Sequence, residues 1–229
     1  MRSDIDAIAF DIDGTLYPNW AFYRLLGPFL LANASFLMKF GETRREIRRQ
    51  QEAAPGVVHS DFFGWQASIM ASLIERPTDE TRALIDGKIY EGWKPLFARV
   101  RPFPHLAESF RALRASGLKI GILSDFLPEQ KGDIWGLAPL CDAILGSENT
   151  GALKPSSVPF LALSRALGVE PGRILYVGNS VRSDVQGASA AGMKTACVMN
   201  SLAYHMGRRV PGADISFCDY RQLTRNVLE

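Results

Sequence analysis

Ala7-Ile8-Ala9-Phe10-Asp11-Ile12-Asp13-Gly14-Thr15-Leu16-Tyr17 decides how the rest of this chain is read. Ile5 to Phe10 is an apolar run interrupted only by Asp6, the length of a buried strand, and Asp13-Gly14 then supplies a turn. Side chains two apart on an extended strand point to the same side, so Asp11 and Asp13 can converge on one reacting group at the strand's end. Paired carboxylates repel, and the repulsion is relieved by a hard cation, a shared proton or a division of labour. Taken alone, the same residues also fit an Asp-Gly turn with a solvated neighbour.

Composition sets the bounds. The 229 residues suffice for one large domain or a core with an inserted smaller one, and 47% hydrophobic against 22% charged residues can bury a sizeable core. A net charge of +2 gives no ground for a nucleic-acid partner. Cys141, Cys197 and Cys218 show no C-x-x-C spacing, so buried thiols in a reducing compartment are the simpler reading than a disulfide or zinc scaffold. The acids of Met1-Arg2-Ser3-Asp4-Ile5-Asp6 leave no apolar core for an export signal. The longest uncharged apolar run, Leu25 to Met38, has 14 residues against the roughly 18 that span a bilayer. A cytoplasmic protein with no membrane partner is expected.

After Tyr17 the pattern turns helical. Phe22, Leu25, Phe29, Ala32, Phe36 and Phe40 form one stripe and Leu26, Leu30 and Leu37 a second, so a helix packed on two faces is expected, by core packing or else as a dimer face or an apolar substrate lining. Glu42 to Glu52 reads as a separate charged helix with Arg44, Arg45, Arg48 and Arg49 on one side, either solvated or raising the local anion concentration. Ser60 is expected to cap a helix from Asp61 to Ile74, and Thr78-Asp79-Glu80 the next. His59 reads as a surface residue.

Beyond Pro102-Phe103-Pro104 strands and helices alternate. Strands are expected at Leu118–Leu123, Ala143–Leu145, Arg173–Val177 and Thr195–Met199, with helices at Leu106–Ala115, Pro128–Trp135, Ser157–Leu167, Ser183–Ala191 and Tyr220–Leu228. The alternation predicts a parallel α/β sheet, whose ligands bind beyond the carboxyl ends of the strands. There lie Ser124 after one strand, Lys154 before a helix, and Asn179 and Asp184 after another strand. Each residue also has an ordinary use as a turn former, a helix cap or a solvated charge.

Together, Asp11-Ile12-Asp13-Gly14-Thr15-Leu16, Leu123-Ser124, Lys154-Pro155 and Gly178-Asn179 with Asp184 resemble the haloacid dehalogenase (HAD) superfamily, whose motifs run D-x-D-G-T-L, hhhS/T, K and GD with a later Asp. The likeness spans nearly the whole chain. It implies a Rossmann-like parallel-sheet core, residues 1–18 and 99–229, with an inserted all-helical cap, residues 19–98. By that likeness Asp11 is the nucleophile on phosphorus, Asp13 the general acid and then base, and Ser124 and Lys154 hold the phosphoryl group. Gly14, Thr15 and Asp125 join the substrate-binding set. Magnesium is implied on Asp11, Asp13 through its backbone carbonyl, Asn179 and Asp184. Asn179 stands where the family usually has Asp, so magnesium binding is expected to be weaker or to fall more on Asp184.

The expected activity is phosphatase action on small phosphorylated metabolites by a monomer or homodimer. Asp13 argues against carbon–halogen cleavage. A sugar phosphomutase and a binding module that has lost turnover are the alternatives.

Overall fold

The computed structural model describes residues 4–229. Six strands, β1 (Ala7–Phe10), β2 (Lys119–Ser124), β3 (Ala143–Gly146), β4 (Ile174–Gly178), β5 (Lys194–Val198) and β6 (Ile215–Phe217), form one sheet in the order β3-β2-β1-β4-β5-β6. All pairings are parallel. The expected α/β core is therefore present.

Its strands are apolar runs because both sheet faces are covered. Ile8, Phe10, Ile120, Ile122, Leu175 and Val177 pack toward Phe110 and Leu113 of α5 (Leu106–Ala115) and Tyr220 and Leu223 of the C-terminal helix Tyr220–Leu228. Ala7, Ala9, Leu123 and Tyr176 face Phe160 and Leu163 of α6 (Ser157–Leu167) on the opposite side. From β1 the chain builds outward through β2 and β3, then returns to the other flank of β1 for β4, so a crevice opens at the β1/β4 strand ends. Phe10 is level with both Ile122 and Val177. Asp11, Ser124 and Asn179 consequently leave the sheet within about two residues of one level.

Between β1 and α5 the described residues hold no strand. α1 (Asn19–Ala53), α2 (Phe62–Ile74), α3 (Thr78–Ile85), a π-helical stretch Asp86–Glu91 and α4 (Lys94–Phe97) fill it. The two helices expected from Leu25 to Glu52 are one. Nothing around Phe40-Gly41 breaks it, and the bend falls instead at Asn33 (φ −132°, ψ 24°), whose side-chain amide donates to the Phe29 carbonyl at 3.1 Å. An 18-residue window of α1 reaches a mean hydropathy of 1.3 with 11% of it buried, long and apolar enough to cross a membrane by length and composition. The 14-residue count missed that window because it stopped at the first charge.

Several boundaries differ from expectation. Asp61, not Ser60, caps α2, accepting from the Gly64 amide at 2.9 Å. α3 starts at Thr78 itself, behind Pro77. Pro128–Lys131 is only a 3₁₀ turn, because Gly132, Ile134, Trp135 and Gly136 all take positive φ. The expected helix Ser183–Ala191 is a π-helical turn, Val181–Gln186, followed by α7 (Gly187–Ala190). β6 and the short helix α8 (Ser201–His205) carry no periodic signal, leaving the C-terminal helix as α9. His59 stacks on Trp65 with ring centroids 3.5 Å apart.

Candidate active site

Asp11, one residue past β1, is 4% exposed, and both its oxygens are engaged. Lys154 Nζ donates to Oδ1 at 2.8 Å, and Thr15 Oγ1 donates to Oδ2 at 2.8 Å. Thr15 thus orients Asp11 rather than reaching into open space. Gly14 makes the turn possible: its φ is +82°, and a Cβ there would lie 2.2 Å from Asn179 Nδ2. The first turn and the β4 loop are in direct contact for that reason.

Lys154 is 2% exposed and sits between two carboxylates, donating also to Asp184 Oδ1 at 2.7 Å and to Tyr176 Oη at 3.1 Å. Burial disfavours its charge, but Asp11 and Asp184 outweigh this and hold its pKa well above the usual lysine range. Burial pushes Asp11 up to about 7, against the pull of Lys154 and with Asp184 and Asp13 adding to the rise. Asp184 spends its second oxygen on the amides of Asn179 and Ser180, at 3.1 and 2.9 Å. It therefore fastens the β4 loop to Lys154.

Asp13 is held apart from this cluster. Tyr17 Oη donates to Oδ1 at 2.5 Å, while Lys131 Nζ, at 2.9 Å, and Ser124 Oγ, at 3.3 Å, donate to Oδ2. Lys131 also donates to Ser124 Oγ at 3.1 Å and lies 4.9 Å from the Phe97 ring centroid. The two acids expected to act together thus have different partners, which divides their chemistry. Lys131 was not foreseen. It is a single lysine in a short turn, with no motif to mark it, and only the 3₁₀ geometry brings it to Asp13.

Asp125 ties α1 to the Lys154 loop, accepting from Arg48 Nη2 at 2.7 Å and from the Lys154 amide at 3.1 Å. Burial would raise its pKa, but Arg48, Lys154 and Arg44 hold it below the usual range. The expected arginine face is divided. Arg44 is buried, paired with Glu148 and bonded to Gln66 Oε1 at 3.1 Å; Arg45 and Arg49 are exposed. Tyr90 Oη joins the same Glu148 at 2.8 Å, so α1, α2, the π-helical stretch and the loop after β3 share one buried polar network.

For a divalent cation, the donors present are hard oxygens. The Thr15 hydroxyl lies 2.8 Å from Asp11 Oδ2 and 3.5 Å from Asn179 Oδ1, which puts those two acceptors side by side. Their chemistry fits magnesium. Among the described residues no group of three or more His, Cys, Asp and Glu converges as a metal cluster; both Asp184 oxygens are bonded, to Lys154 and to the amides of Asn179 and Ser180.

The family model for haloacid dehalogenase-like hydrolases matches residues 5–192, spanning every one of these site residues. The chain belongs to that family. Being a HAD-like hydrolase, it is an enzyme. It is 26% identical over 200 residues to a glyceraldehyde 3-phosphate phosphatase of Methanopyrus kandleri, covering 83% of this chain and 82% of that one. It is also 26% identical over 215 residues to a phosphoglycolate phosphatase of Escherichia coli, covering 82% and 79%. A crystal structure of a HAD phosphatase from Thermococcus onnurineus superposes with a TM-score of 0.63 at 24% identity, over 98% of each chain. That likeness establishes the shared fold.

Proposed function

We propose that this HAD-like hydrolase is a magnesium-dependent phosphatase that cleaves small phosphate monoesters through an aspartyl-phosphate on Asp11. The observation that carries this reading is the division of the two acids: Asp11 beside the buried Lys154, and Asp13 on Ser124 and Lys131. A phosphoryl group needs positioning and charge neutralisation, and Lys154, Lys131 and the Ser124 hydroxyl are the groups that supply them.

In this reading the Asp11 carboxylate attacks phosphorus and the bond from phosphorus to the ester oxygen breaks. Asp13 gives its proton to the departing oxygen, then takes one from the water that hydrolyses the acyl phosphate. A phosphoryl group at Ser124 draws the Lys131 ammonium away from Asp13, leaving that carboxyl free to carry the proton. Asp11, the Asp13 carbonyl and Asn179 would hold magnesium, with Asp184 fixing the Asn179 loop; bound there, the ion neutralises charge on the phosphoryl oxygens. The helices of residues 19–98 act as a cap over the strand ends, anchored by Arg44 to Glu148 and Arg48 to Asp125.

Hydrolysis of p-nitrophenyl phosphate by the wild type and Asp11→Asn, with and without magnesium, tests this. Metal-dependent turnover that vanishes in the variant is expected; turnover surviving in Asp11→Asn would overturn the assignment.

A further inference from the structure

A cavity of about 360 Å³ opens directly from Asp13 and Tyr17, within the range of small-molecule sites, roughly 300–1,000 Å³. Its walls are apolar: Phe22, Leu26, Leu37 and Phe40 from α1, with Trp93 and Phe97 from the end of the helical segment. The cations that border it are already matched. Arg44 pairs with Glu148 and lies 4.6 Å from the Phe126 ring centroid, and Arg48 pairs with Asp125. A carboxylate entering this space would meet no cation free of an acidic partner, and would approach Asp13 and Asp125. An anionic leaving group would thus be desolvated without compensation.

From these features we infer that the substrates are phosphate monoesters whose leaving group is an uncharged, predominantly apolar ring system. The inference rests on the phosphatase reading for its chemistry and on the cavity for its selectivity. The phosphoryl group sits at Asp11, Ser124 and Lys154, the ester oxygen at Asp13, and the ring among the α1 side chains.

The test compares kcat/KM for (1-naphthyl)methyl phosphate and phosphoglycolate, both esters of primary alcohols, so that cavity fit rather than alcohol acidity dominates. A preference of about tenfold or more for the naphthyl ester is expected, the scale at which apolar pockets discriminate. Leu37→Arg, which places an unpaired cation in the wall, is expected to lower the naphthyl value about tenfold without lowering that for phosphoglycolate. Equal or better use of phosphoglycolate by the wild type would overturn the inference. Calorimetric binding of (1-naphthyl)methylphosphonate and phosphonoacetate gives an independent reading. If neither ester is hydrolysed the phosphatase assignment falls, and tighter binding of the naphthyl phosphonate would still support the cavity's selectivity, while tighter or equal binding of phosphonoacetate would refute it.

Discussion

At the scale of single residues, the site depends on how each buried charge is compensated. Lys154 has two acids and a tyrosine around it, so Lys154→Met would leave Asp11 and Asp184 buried with no cation between them. Loss of one partner from a buried pair costs about 3–5 kcal/mol. An unfolding free energy from urea titration lowered by that amount, together with lost turnover, is expected; an unchanged value would mean the lysine is not the compensating charge. Lys131→Met should behave differently. Tyr17 still donates to Asp13, so most stability should remain, while kcat falls about 10²-fold for loss of a donor to the phosphoryl group. Steady-state kinetics beside a melting curve separates the two lysines. Asp11, Asp13, Ser124, Lys154 and Asn179 were legible because each follows an apolar strand or precedes a helix in a parallel sheet, where topology forces convergence. Lys131 and Tyr17 were not, since their partners are fixed by a 3₁₀ turn and a tight first turn whose geometry no periodicity encodes.

Among the elements, α1 packs less than its two apolar stripes imply: Phe22, Leu26 and Phe40 are buried, but Leu25, Phe29, Leu30, Phe36 and Leu37 only partly so, and Ala32 is exposed. Its arginine pattern told only which residues share a side, not what they meet. Arg44 meets Glu148 because the 3₁₀ turn Glu148–Thr150 after β3 delivers a buried acid to it, and burial raises that acid's pKa in spite of the arginine. Arg44→Met is therefore expected to destabilise the fold by about 3–5 kcal/mol, whereas Arg44→Met with Glu148→Leu should recover much of that loss, because no orphaned charge remains. Guanidinium unfolding of Arg44→Met, Glu148→Leu and the double variant checks it, and strictly additive losses would show that the two residues do not compensate each other. β6 and α8, of three and five residues, present too few positions for a repeat to emerge, and β6 takes its place by pairing with the β5 edge.

Across the whole molecule, the sheet order turns one buried carboxylate into a stability switch. β1 lies between β2 and β4, so Asp11 emerges where the sheet is most deeply covered, and burial is what lifts its pKa from 3.8 to about 7. The folded state then binds more protons than the unfolded chain between about pH 4 and pH 7. Stability from this group is present below the unfolded pKa and is lost as pH rises through the folded one. At 1.36 kcal/mol per unit, the loss is at most about 4 kcal/mol. Magnesium opposes it by favouring the ionised carboxylate, so binding should release a proton and tighten as pH rises toward 7. In chelator, the melting temperature is expected to fall between pH 5 and pH 7.5, with a shallower fall in magnesium and little fall in Asp11→Asn. An equally steep fall in Asp11→Asn would place the titrating group elsewhere. A slope in the wild type unaffected by magnesium would show that the ion does not reach Asp11, and with that the proposed metal set would fail independently of any assay of turnover.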